Sequence, residues 1–255
     1  MGWWLADLSS ADIARKVRTR LLPNLRYLPE SRLRTCRACR RLSIILAFGA
    51  DEEFRACLRC RANLRYELLA DYLRGTFPRM EDLDVLELDF QSPLRHILER
   101  ARSYRPTFYR PDTPLGLRRT DGIECQDITQ LTLPDASLDL IVSSDVLEHV
   151  PDFGAAMRES ARVLRPNGVH IFTVPPRPKT FQRAIVDGGK VTHLVTPPEY
   201  HRDPLSPNGV LCFWNFGPDL PRVFPIKGLQ IRQATTPEGS SGRVIWEARK
   251  QTDGM

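Results

Sequence analysis

The sequence predicts an α/β protein: a doubly wound, mostly parallel sheet preceded by a small cysteine-rich module. Two observations carry this expectation. From about residue 82, short apolar runs alternate with amphipathic stretches in a βαβ rhythm. Before that point, four cysteines fall into two pairs, each with two residues between its members. A chain of 255 residues is long enough for a large domain plus such a module.

The module comes first in the chain. Cys36 and Cys39, then Cys57 and Cys60, are separated by a 17-residue gap. A two-residue spacer lets both thiolates of a turn face one ion, and two such turns close a tetrahedron around Zn²⁺. Four thiolates leave no open position, so the expected zinc is structural. Two disulfides are the other reading of the same cysteines, and the absence of a secretory signal disfavours them. The segments "SIILAF" and "EEFRA" between the pairs suit a hairpin. Residues 63–74, "NLRYELLADYLR", place Leu64, Leu68, Leu69, Tyr72 and Leu73 on one helical face. Cys125 and Cys212 stand alone and read as small buried hydrophobes.

In the larger unit, residues 84–88 form an apolar strand and 93–104 a helix. Candidate strands follow at 107–110, 122–128 and 138–143. Residues 152–164 form a helix with Phe153, Met157, Ala161 and Leu164 inward, 165–168 a turn and 169–175 a buried strand. Residues 228–235 and 242–250 alternate like a terminal antiparallel pair. Ligands of such a sheet belong at the carboxyl ends of the strands, at the switch point.

Charge is uneven. Residues 1–75 hold 15 Lys and Arg against 8 Asp and Glu, and the remainder holds 22 against 23. A basic N-terminal third suits phosphates, an anionic membrane face or an acidic partner, or is simply a solvated surface. Residues 11–28 are basic and amphipathic, with Trp3 and Trp4 upstream, so they would suit a peripheral membrane contact or pack on the ribbon. No run approaches the roughly 20 apolar residues of a membrane span. The N-terminal residues run opposite to a secretory signal, and the expected location is the cytoplasm.

Residues 127–175 carry a resemblance. Asp127-Ile128, "LPDASLDLI", "DVLEHV" and "RVLRPNG", in that order and spacing, resemble the central half of a class I S-adenosylmethionine-dependent methyltransferase. The four-Cys ribbon and a "HLVTPPEYHRDP"-like segment resemble a bacterial subgroup of that family. The resemblance implies a seven-stranded Rossmann-like sheet over residues 82–250, with an acceptor or lid insertion at 176–210. It is preceded by the ribbon plus helix at 36–75 and a basic segment at 1–35. It implies S-adenosylmethionine as cofactor and methyl transfer to a small-molecule or glycan-type acceptor.

Carried across residue by residue, the resemblance puts the strand-one acid at Glu87. Asp89 and Ser92 lie in a turn that lacks the family's glycines. Asp112 falls a few residues past the expected ribose-binding acid. Asp127 and Ile128 match the adenine contacts, and Ser144 and Asp145, beside Ser143, line the pocket floor. His149 lies near the methyl position, either as a proton acceptor or as a residue that orders its loop. In the insertion, His193, Glu199, Tyr200, His201 and Asp203 form a polar cluster suited to an acceptor, a base or a metal, although their spacing matches no standard metal template. The alternative from another class is a catalytically inactive methyltransferase-like module that docks on nucleic acid or protein through its basic ribbon. No aromatic stacking set accompanies that charge.

Overall fold

The computed structural model describes residues 22–203, 206–237 and 242–252. Most of the basic segment, including Trp3 and Trp4, lies outside the described residues.

Strands β1 (Arg32–Thr35), β2 (Leu42–Ala47) and β3 (Arg55–Cys57) form an antiparallel sheet in that order. The hairpin expected between the cysteine pairs is β2–β3. Each pair sits in a turn of the same shape. The Arg40 N–H donates to the Cys36 carbonyl at 2.9 Å and the Arg61 N–H to the Cys57 carbonyl at 2.7 Å. Both arginines adopt left-handed backbone, with φ of 57° and 64°. Helix α1 (Leu64–Thr76) follows, capped by the Asn63 side chain. Its inward residues Tyr66, Leu69, Ala70 and Leu73 repeat at three- and four-residue spacing. Glu67 is also buried, and Arg34 on β1 donates to both of its oxygens at 2.9 and 2.7 Å. That paired charge ties β1 to α1.

The main sheet contains β4 (Asp84–Glu87), β5 (Ser103–Phe108), β6 (Glu124–Cys125), β7 (Leu138–Ser144), β8 (Leu164–Thr173), β15 (Leu229–Gln233) and β16 (Trp246–Lys250). Their order is β15-β16-β8-β7-β4-β5-β6. Only β16 runs against the others, pairing antiparallel with both β8 and β15. The chain moves outward from β4 to β5 and β6, then returns to β7 and β8. The switch point therefore lies between β4 and β7. Leu140, Ile141 and Val142 of β7 are all buried, as expected of a parallel strand covered on both faces. One side packs Leu86, Ile141, Phe153, Met157, Phe172 and Trp246. The other packs Leu69, Leu73, Val85, Leu98, Leu140 and Val142 and continues into Cys36, Cys57 and Ile45 of the ribbon. Ribbon and sheet thus share one core.

The structure corrects several boundaries. The helix expected over 93–104 is one turn, α2 (Arg95–Leu98), and β5 begins at Ser103. Pairing with β4 claims Ser103–Pro106 as strand, whatever their local helical pattern. The strand expected over 122–128 shrinks to Glu124–Cys125 because β5 offers only Thr107 and Phe108 for pairing. The 152–164 helix is α3 (Phe153–Val163), capped by the Asp152 side chain on the Ala155 N–H at 2.8 Å. The irregular insertion is built instead of short antiparallel pairs. These are β9 (Phe181–Gln182) with β14 (Trp214–Asn215), β10 (Ala184–Asp187) with β11 (Lys190–His193), and β12 (Tyr200–Asp203) with β13 (Ser206–Leu211). A single turn, α4 (Leu220–Val223), leads back to β15.

Candidate active site

A cavity of about 580 Å³ opens at the carboxyl ends of β4 and β7, between the switch point and the ribbon. The sheet contributes Leu88, Asp89, Phe90, Gln91, Ser144 and Asp145. The ribbon and α1 contribute Glu53, Arg61, Arg65 and Tyr66, and the insertion side contributes His149, His201 and Val210.

The glycine-free turn after β4 has a physical account. No residue between Leu88 and Pro93 has a positive φ, so its conformation does not demand glycine. Polar side chains shape it instead. Asp89 accepts from the Gln91 N–H at 2.8 Å, and Ser92 Oγ accepts from the Leu94 N–H at 3.0 Å. Asp89 also accepts from the Tyr66 hydroxyl at 2.8 Å, which joins the turn to α1. Glu87 itself is buried behind the turn. Tyr104 donates to its carboxylate, and burial pushes its carboxyl up to about 8.

Asp145 sits at the end of β7 with φ of 53°. Arg243 donates to both its oxygens at 2.7 and 2.9 Å, and Arg65 reaches Oδ2 at 2.6 Å. Burial opposes its ionisation, yet these two guanidiniums hold it at about 2. Arg243 Nε lies 3.1 Å from Glu53 of the ribbon, so a buried network joins module to sheet. Within it, Arg65 Nε is buried with no hydrogen-bond partner among the described residues. Asp89, on the sheet side of the same cavity, offers a carboxylate. The cavity thus carries side chains of both charges, Arg65 and Asp89, as an amino-acid-like headgroup requires.

The other predicted positions are spread out. Ser144 is buried beside Thr173 Oγ1 at 3.3 Å. Asp127 is half-buried, and its Oδ1 accepts from the Thr129 N–H and hydroxyl at 2.8 and 2.7 Å. Ile128 packs in the core. Asp112 is exposed and paired with Arg110 at 3.0 Å. His193 is exposed on β11, apart from the cavity wall.

His149 and His201 do meet, with ring centroids 4.9 Å apart at 89°. The buried Cys212 joins them, and the ligand atoms of the three lie within 4.8 Å of one another. Cys212 is therefore more than the small hydrophobe its isolation suggests. Burial opposes ionisation of its thiol, but the two rings hold it below the ordinary thiol value. His201 is pushed up to about 10 by Cys212 first and Glu148 second. Cys125 stays a buried packing residue. Cys212, Arg65 and Arg243 carried no local signal, since only tertiary structure brings them to the site, whereas Glu148 lies in the DVLEHV motif.

The four early cysteines converge, with all ligand atoms within 4.8 Å of one another. Cys36 Sγ and Cys60 Sγ lie 3.6 Å apart. Zn–S bonds of about 2.3 Å imply tetrahedral edges of about 3.8 Å, so the donor set fits Zn²⁺. The ribbon's arginines are largely engaged within the protein, for example Arg37 and Arg40 with Asp71 at 2.6 and 2.8 Å and Arg55 with Glu30 at 2.9 Å. No helix among the described residues is long and apolar enough to cross a membrane.

Residues 68–172 match a family model described as a methyltransferase domain. Over that span the chain is similar to methyltransferase domains. A Mycolicibacterium smegmatis protein named "Probable S-adenosylmethionine-dependent methyltransferase" is 43% identical over 51 residues, 20% of this chain and 20% of that protein. A similarly named Mycobacterium tuberculosis protein is 43% identical over 51 residues, 20% of this chain and 19% of that one. The match thus spans about a fifth of the length of these curated relatives. A solved S-adenosylmethionine-dependent methyltransferase from Mesorhizobium loti is 19% identical, covers 71% of this chain and 96% of its own, and has a TM-score of 0.45.

Proposed function

We propose that the protein transfers the methyl group of S-adenosylmethionine to a small-molecule or glycan-type acceptor in the cytoplasm, and that its four-Cys ribbon holds a structural Zn²⁺. The observation that carries the reading is the cavity at the switch point of a domain matched as a methyltransferase. Its size is within the usual range for a ligand cleft, and its walls offer both charges of an amino-acid headgroup.

Bound cofactor supplies a methyl group already activated by its sulfonium. The chain then has to bind, align and exclude water. Asp89, fixed by Tyr66, presents a carboxylate to an ammonium. Arg65, anchored on Asp145, brings a guanidinium to the cavity lining for a carboxylate. The Asp127 turn lies in the chain just past β6, where the resemblance expects the adenine. The insertion, with His201 and Val210 on the cavity wall, is the candidate acceptor side. Zinc in the ribbon would fix the start of α1, and with it the Arg65 and Tyr66 side chains. Asp71 and Glu30 offset the charge of Arg37, Arg40 and Arg55, which weighs against the docking alternative.

Calorimetric titration with S-adenosylhomocysteine tests the site. Asp89→Asn and Asp127→Ala are each expected to weaken binding about tenfold or more, the loss of one good polar contact. Unchanged affinity in both variants contradicts the placement of the cofactor.

A further inference from the structure

The geometry points to a second metal site, separate from the ribbon, in which Glu148, His149, His201 and Cys212 hold one divalent transition cation of borderline softness, Zn²⁺ by its donor set. Three observations converge on it, and none depends on the methyl-transfer reading.

The first is the donor set. His149, His201 and Cys212 converge from the loop after β7, from β12 and from the residue after β13, and the Glu148 carboxylate lies beside both imidazoles. Two imidazoles with a thiolate and a carboxylate suit zinc better than the hard cations magnesium or calcium.

The second is the orientation of the histidines. His149 Nδ1 lies 2.9 Å from the Leu211 carbonyl, so it carries the proton and Nε2 keeps its lone pair. His201 Nε2 lies 3.2 Å from Glu199 Oε1 and Nδ1 faces Glu148, so with a metal bound the ring keeps its Nε2 proton and gives the Nδ1 lone pair to the ion. Arg177 in turn holds Glu199. A carbonyl or carboxylate on the outer nitrogen is the usual partner of a metal-ligating histidine, because it fixes the tautomer and raises ligand basicity.

The third observation is Glu148. Its side chain is 2% exposed, and both carboxylate oxygens lack a hydrogen-bond partner among the described residues. A bare buried carboxylate is costly unless a cation meets it. Its Oε1 lies 3.5 Å from His201 Nδ1 and 3.8 Å from His149 Nε2. Those separations are long for hydrogen bonds of about 2.7–3.2 Å. They are close to the edges of a tetrahedron around zinc, about 3.3–3.6 Å for N and O donors. The nearby guanidiniums of Arg177 and Arg183 are directed to Glu199 instead.

Four protein donors make a closed site. Its role is to fasten the β12–β13 hairpin and the start of β14 to the loop after β7. It thereby fixes the wall of the cavity that His149 and His201 line.

The test counts metal. Full-length protein is loaded with Zn²⁺, desalted and assayed for zinc per chain, then titrated with a chromophoric chelator. Wild type should hold two equivalents in two affinity classes. Cys212→Ser and His201→Gln should each hold one, whereas Cys57→Ser should lose the other one. His201 is 29% exposed on a hairpin, so its variant preserves the fold if the serine variant does not. Co²⁺ loaded into Cys57→Ser should give a thiolate charge-transfer band that Cys212→Ser abolishes. If wild type holds no zinc, or if both Cys212→Ser and His201→Gln keep the wild-type count, the proposal is overturned. One equivalent lost from Cys212→Ser but kept in Cys57→Ser would support this site and remove the ribbon zinc instead.

Discussion

Glu87 offers a test of how the first strand meets its turn. It ends β4 at 1% exposure. Burial raises its carboxyl from 4.5 to about 8, against hydrogen bonds from Ser92 and Tyr104 that favour the charged form. A carboxyl whose folded pKa is raised binds its proton more tightly in the folded protein. Its contribution to stability is then fully present below the unfolded pKa and is lost as pH rises through the folded one. With these two values, raising the pH from 5 to 7 removes about 2.5 kcal/mol of stability through this group alone. Glu87→Gln keeps the shape but cannot titrate. Urea unfolding of both proteins at pH 5, 6, 7 and 8, followed by circular dichroism, gives the difference in stability at each pH. Every other titration cancels in that difference. It should move in favour of glutamine by about 2.5 kcal/mol between pH 5 and 7. Profiles that stay parallel within about 0.5 kcal/mol would refute a buried, protonated Glu87.

Two further perturbations probe the joints around the cavity. Arg243→Met leaves Asp145 with Arg65 as its one remaining guanidinium partner and should cost about 3 kcal/mol, the low end for a broken buried pair, as read by chemical denaturation. Phe153 is fully buried against Phe216 and Phe224, with centroids at 4.8 and 4.7 Å, so Phe153→Ala should cost about 3–5 kcal/mol and lower the melting temperature of the whole domain.

How much of this was legible in the sequence depended on the range of each signal. The cysteine pairs declare themselves because each knuckle is local, and spacing alone aims two thiols at one point. β7, α3 and β8 were readable because apolar periodicity there is strong and uninterrupted. β5 was not, because Ser103–Pro106 becomes strand only by pairing with β4, a contact remote from the local pattern. The turn after β4 lacks the glycines that the resemblance leads one to expect. In the structure Asp89 and Ser92 supply the turn through side-chain hydrogen bonds, with no left-handed residue to accommodate. Arg65 and Tyr66 read as parts of the ribbon helix, and only the shared core brings them over the switch point. The Glu148, His149, His201 and Cys212 cluster was hidden most completely. His201 and His149 are named by motif, but Cys212 lies just past β13 and no spacing rule links it to either. In the same way, the resemblance named Asp112 and His193, while folding leaves both on the exposed surface away from the cavity lining.

The most direct test of the central claim is calorimetric titration of the zinc-loaded, full-length protein with S-adenosylmethionine and S-adenosylhomocysteine. The account predicts one site per chain, with micromolar affinity for both ligands and weaker binding in Asp89→Asn. Absence of binding to either ligand at millimolar concentration, in protein that is folded and carries its ribbon zinc, would contradict it.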